Sequence, residues 1–120
     1  MPMRGIRGAT MLQEDDAAEM AEAVSELVAQ MLSRNGITPD ALVSVLFTST
    51  PDLHSAFPAA AARSLGLQDV PLICAQELDV HGALQRVVRV LVHAEVDVPR
   101  AQIQHVYLRG AEVLRQDLAT

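Results

Sequence analysis

The sequence predicts an α+β fold: a mixed sheet of about five short strands carrying one long and one short helix. Two observations lead there. A single long amphipathic stripe runs from Glu14 to Arg34, and the remaining chain is cut into short β-branched runs by Gly, Pro, Asn and Asp. These runs do not alternate regularly with helices, which argues against a doubly wound parallel sheet. A mixed or antiparallel sheet with the long helix on one face fits instead. The length of 120 residues fits one domain, 1–120, able to bury a core.

In chain order, Arg4 to Thr10 reads as a first strand, whose two glycines point to bulges or close backbone approach. In the helix Glu14 to Arg34, the residues Met20, Val24, Leu27, Val28 and Met31 recur at helical spacing. Acidic residues at its start and Arg34 at its end suit the macrodipole, and Asn35-Gly36 supplies a left-handed stop. Thr38-Pro39-Asp40 begins a short turn with Thr38 as N-cap. Val43 to Thr48 is a second strand, broken by Thr50-Pro51-Asp52. Pro58 opens an alanine-rich short helix that ends at Gly66. Val70 to Cys74 is a strand whose proline suits a start or an edge. Val87 to Val92 is the next strand. His105 to Leu108 and Ala111 to Arg115 read as two more, turned at Arg109-Gly110.

Composition narrows the function. Half of the residues are hydrophobic, and the only aromatics are Phe47, Phe57 and Tyr107, so the core is aliphatic and its apolar excess calls for subunit packing. The net charge of −6 argues against a nucleic-acid binder or a polybasic membrane module. Every cation is an arginine, whose planar fork matches carboxylates, although a codon bias gives the same pattern. Cys74 is the single cysteine, which excludes an intrachain disulfide and makes a reducing compartment the default. No signal-peptide pattern and no apolar run of membrane length is present, so a cytoplasmic protein is expected.

Arg89 stands inside the apolar strand Val87 to Val92, on the face of Val87 and Leu91. A buried guanidinium needs a partner. That partner is either an Asp or Glu on a neighbouring strand or a bound anion. Arg7, Arg63 and Arg115 lie on other elements; together with Tyr107, and with Cys74 and Glu77 beyond another strand, they would suit a small molecule carrying more than one carboxylate. The four histidines lack metal-ligand spacing, and Cys74 has no histidine near it in sequence to make a nucleophile pair.

Several segments in order carry a resemblance: Arg4-Gly5-Ile6-Arg7-Gly8-Ala9-Thr10, Thr50-Pro51-Asp52-Leu53-His54, Phe57-Pro58-Ala59, Val70-Pro71, Cys74, Gln76-Glu77, Arg89-Val90, Asp97-Val98-Pro99, His105-Val106-Tyr107-Leu108 and Val113-Leu114-Arg115. With them the chain resembles the monofunctional chorismate mutases of the trimeric, mixed-sheet type over nearly its whole length. The resemblance implies a homotrimeric pseudo-α/β-barrel with active sites between subunits. It implies the Claisen rearrangement of chorismate to prephenate, with no cofactor or metal.

It further implies that Arg89 donates to the ether oxygen, that Arg7 binds the enolpyruvyl side chain and that Tyr107 binds a carboxylate. Glu77, assisted by Cys74, would hold the ring hydroxyl, and Phe57 would wall the pocket. Arg63 and Arg115 would sit at the mouth, and Leu114, Ala59 and Ile73 would complete the substrate contacts. The chain departs from the family pattern at Ala60, where a basic residue can occur, and in a shorter segment from Leu65 to Asp69. The competing expectation is a non-catalytic trimer of the same fold that senses a small carboxylate. A carboxylate such as Glu77 in the pocket speaks against it.

Overall fold

A computed structural model describes residues 2–114. In chain order the elements are β1 (Met3–Met11), α1 (Ala17–Arg34), β2 (Leu42–Ser49), α2 (Pro58–Arg63), β3 (Leu72–Gln76), β4 (Val87–Glu95) and β5 (Val106–Tyr107). Single 3₁₀ turns precede β2 and β5. The sheet order is β3-β2-β4-β1-β5. β4 pairs antiparallel with both β1 and β2, while β3 joins β2 and β5 joins β1 in parallel. The expected mixed α+β sheet is present.

α1 begins at Ala17 rather than Glu14 because Asp16 caps it: the Glu19 N–H donates to Asp16 Oδ2 at 2.8 Å. The Glu19 carboxylate reaches back to accept the N–H groups of Gln13 and Glu14, tying the entering chain to the first turn of α1. The predicted stripe of Met20, Val24, Leu27, Val28 and Met31 is wholly buried. At the far end Gly36 takes φ +62, a left-handed conformation that suits glycine. Thr38 occupies the N-cap position of the following turn without a side-chain bond. α2 closes at Arg63, short of the expected Gly66.

Both helices pack on one face of the sheet and on each other. Ile6, Val45, Phe47, Val88, Val90 and Val92 point into this layer. Gly8 is needed there. A Cβ at that position would run into the Met31 sulfur and come within 3.2 Å of Leu27 Cδ1, so the glycine lets β1 lie flush against α1. No bulge interrupts the β1–β4 register.

The motif Thr50-Pro51-Asp52 pins the start of β4. The Val87 N–H donates to Thr50 Oγ1 at 3.1 Å and the Arg86 N–H donates to Asp52 Oδ2 at 3.0 Å, fixing Arg86 at φ 55. Asp15 ties α1 to the next loop by accepting the N–H groups of His54 and Ser55. The His54 N–H above all, with Ser55 assisting, holds the Asp15 carboxyl below its ordinary value.

Three expectations are corrected. β3 starts two residues later than Val70, because the Pro71 carbonyl only opens the pairing by accepting from the Val45 N–H. His105 precedes β5 instead of belonging to it; its Nδ1 accepts the Arg7 N–H at 2.9 Å. Ala111 to Leu114 is not a strand. Arg109 and Gly110 both take positive φ, and the bonds from Ala111 N to Leu108 O and from Leu114 N to Ala111 O close turns where a strand would run straight. Arg115 lies outside the described residues. Among the described residues, no helix is long and apolar enough to cross a membrane.

Candidate active site

The sheet face turned away from the helices carries the candidate site. Strand register sets its layout. Arg89 on β4 stands opposite Ala9 on β1 and Thr48 on β2, Arg7 stands opposite Leu91, and Tyr107 is in register with Ala9. Residues paired across strands share a face. Arg7, Arg89, Tyr107 and Thr48 therefore meet on one surface, although they come from four strands. With Leu46, Leu91 and Leu114 they line a concavity of about 350 Å³. Its apolar walls and few polar groups are the usual composition of a small-molecule site.

Arg89 is not buried as expected. Its side chain is 50% exposed, because both helices cover the opposite face. It nevertheless has its own carboxylate partner. The Arg89 Nε–H donates to Glu77 Oε1 at 3.2 Å and stands 3.2 Å from Oε2. Of the two partners expected for Arg89, the protein's own carboxylate is present, and it does not use up the guanidinium. The ion pair engages Nε, and the half-exposed group still lines the concavity. Glu77 is only 15% exposed. Its position follows from its own N–H, which donates to the Ser49 carbonyl and extends the β2–β3 pairing by one residue. Thr48 Oγ1 donates to Glu77 Oε2 at 2.6 Å. A second hollow of about 470 Å³, bordered by Glu77, Arg89 and the loop 78–85, adjoins the first. Arg89 lines both.

The other expected residues fall elsewhere on the chain. Phe57 and Cys74 line a separate hollow of about 400 Å³. Cys74 is in register with the core residue Phe47, so its thiol lies on the helix side, whereas Glu77 turns to the open face. Within one chain Cys74 therefore does not assist Glu77. Ile73 is on the open face, 64% exposed, and Phe57 is 74% exposed. Arg63 is exposed at the end of α2. Ala59 is a core residue on the buried side of α2. Leu46 and Thr48 are lining residues that the sequence reading did not single out. Their signal is period-two alternation about Phe47, usable only once the facing strand is known.

Two arginines and a tyrosine beside a held carboxylate on an α+β sheet are the groups of a small-molecule site that can hold a polyanion carrying a hydrogen-bond donor. The family description "Chorismate mutase type I" matches residues 3–118. The chain is 44% identical to chorismate mutase AroH of Bacillus subtilis, covering 99% of this chain and 94% of that protein. It is 49% identical to chorismate mutase AroH of Thermus thermophilus, covering 97% and 96%. A solved chorismate mutase from Clostridium thermocellum superposes with a TM-score of 0.89 at 41% identity, covering 91% of this chain and 97% of that one. The chain belongs to the type I chorismate mutase family.

Proposed function

We propose that the paired hollows on either side of Arg89 are where this chain carries out its chorismate mutase activity, the cofactor-free Claisen rearrangement of chorismate to prephenate that leads to phenylalanine and tyrosine. The observation that carries the assignment is Arg89, which borders both hollows while its Nε is engaged by Glu77.

The chemistry fits those groups. As the bond between the enolpyruvyl ether oxygen and the ring carbon breaks, negative charge gathers on the oxygen and positive character on the ring. The Arg89 Nη groups donate to that oxygen. Arg7 binds the enolpyruvyl carboxylate near the same oxygen, and Tyr107 binds a carboxylate from β5. Glu77 accepts the ring hydroxyl on the side where positive character develops. A carboxylate offers about four acceptor positions; Thr48 takes one and one Arg89 N–H is shared between the two oxygens, so capacity remains for a ligand hydroxyl. A millionfold acceleration corresponds to about 8 kcal/mol. One preorganised donor to a developing oxyanion supplies roughly 3 kcal/mol, and holding the flexible side chain over the ring supplies part of the remainder.

Phe57, Arg63, Ile73 and Cys74 come to this site from a neighbouring subunit of a homotrimer, with Leu114 from the same chain as Arg89. Arg63 stands at the mouth, and Ala59 contributes through its main chain. Two features favour assembly: the open sheet face is lined by Leu46, Leu91 and Ile73, and Cys74 and Glu77 lie on opposite faces of one chain. The enzyme works in the cytoplasm.

The test mixes purified protein with chorismate and follows the loss of its absorbance. Prephenate formation above the spontaneous rate supports the reading; saturable binding without turnover overturns it in favour of a sensor.

A further inference from the structure

We propose that Thr48 is a positioning residue for this reaction: its hydroxyl fixes the Glu77 carboxylate in the orientation that both engages Arg89 and meets the ring hydroxyl. The inference rests on the functional reading above and extends it to a side chain bonded to the Glu77 carboxylate.

Three observations carry it. Thr48 Oγ1 donates to Glu77 Oε2 at 2.6 Å, the shortest side-chain contact Glu77 makes among the described residues. Thr48 is the β2 partner of Arg89 in the ladder, so the hydroxyl and the guanidinium approach the carboxylate from adjacent strands. Glu77 itself lies just past the end of β3, where no further ladder residue restrains its side chain. A glutamate there has several rotamers to choose among, and ordering one of them has an entropic cost. A hydrogen bond to a charged acceptor is among the stronger neutral-donor bonds available for that purpose. The donor stands on an interior strand, paired on both sides and backed by the core residues Val45 and Phe47, so it is itself well fixed. Arg89 then keeps its Nε on the carboxylate and its Nη groups toward the ligand. Without Thr48, the carboxylate can rotate about Arg89 and draw those Nη groups away from the ether oxygen.

The test compares Thr48→Val, which keeps the shape and β-branching, with Thr48→Ser, which keeps the hydroxyl, and repeats Thr48→Val in a Glu77→Ala background. Thr48→Val should lower kcat/KM about tenfold, mostly in kcat. Thr48→Ser should stay within about twofold of wild type. In the Glu77→Ala background, adding Thr48→Val should change the rate less than about twofold, since no carboxylate remains to be oriented. Thr48→Ala serves as the second hydroxyl-free variant should the valine disturb folding, judged by circular dichroism and urea unfolding. The proposal is overturned if both hydroxyl-free variants match wild type, if serine is as impaired as valine, or if the loss is equally large without Glu77. Failure of the broader reading is a separate result: Arg89→Ala would then match wild type as well.

Discussion

Arg89 Nε stands 3.2 Å from each of the two oxygens of Glu77, across the intervening strand β2. The pairing engages Nε, and Arg89 still lines the hollows on both sides of it. Half-exposed as it is, an ion pair of this kind contributes little to stability. Under the proposed function its importance is orientation: it would present a fixed donor to a ligand atom.

Replacing Arg89 should therefore cost far more activity than stability. Arg89→Ala is expected to lower kcat at least about a hundredfold. Arg89→Lys should also be poor, because the charge remains while the fork that bridges Glu77 and the ligand is lost. Steady-state kinetics alongside urea unfolding checks both: near wild-type turnover in the alanine variant contradicts the assignment.

Arg63 ends α2, exposed and in the helix layer, whereas Arg89 stands on the open sheet face. Under the proposed trimeric arrangement a neighbour supplies it at the mouth, where it would act on capture. Arg63→Ala is expected to raise KM with kcat nearly unchanged, in a protein that sediments at about three times the 12.9 kDa chain mass. A loss confined to kcat, or a monomer that turns over fully, would contradict that placement.

Asp15 gives a pH prediction. The N–H of His54, with Ser55 assisting, lowers its folded value below the ordinary 3.8. A depressed carboxylate stabilises the folded state above its unfolded value, and the contribution is lost as pH falls through the folded one. Asp15→Asn should thus be less stable than wild type at neutral pH, and the gap between their urea midpoints should narrow as pH drops below 3.8. A gap that stays constant through that range would show that the carboxylate charge plays no part in holding the loop.

What is legible in the sequence is the part governed by local periodicity. The stripe from Met20 to Met31 forecasts a buried helix face and delivers one, and the apolar run around Arg89 forecasts β4. The start of α1 lies three residues beyond the expected one, because the consecutive acids Glu14, Asp15 and Asp16 do not reveal which carboxylate caps. The strand expected from Ala111 onward fails because Val113 and Leu114 look like strand, while two consecutive positive-φ residues before them have already turned the backbone. The site is legible only as a set of candidates. That Glu77 is the anion beside Arg89 depends on β2 lying between their strands, and that Cys74 faces away from Glu77 depends on the β2–β3 register. No local pattern encodes either. Family resemblance supplies the roles, and the sheet supplies the neighbours.

β5 lies beside β1, so Tyr107 and Arg7 come together only when strands from opposite ends of the described chain zip side by side. On the ribosome, α1 and the four longer strands can already have condensed while the anion cup still lacks one wall. Until that late closure β1 is a bare edge, open to pairing with other nascent chains. The short strand that brings Tyr107 beside Arg7 thus also covers that edge at Gly8 and Ala9.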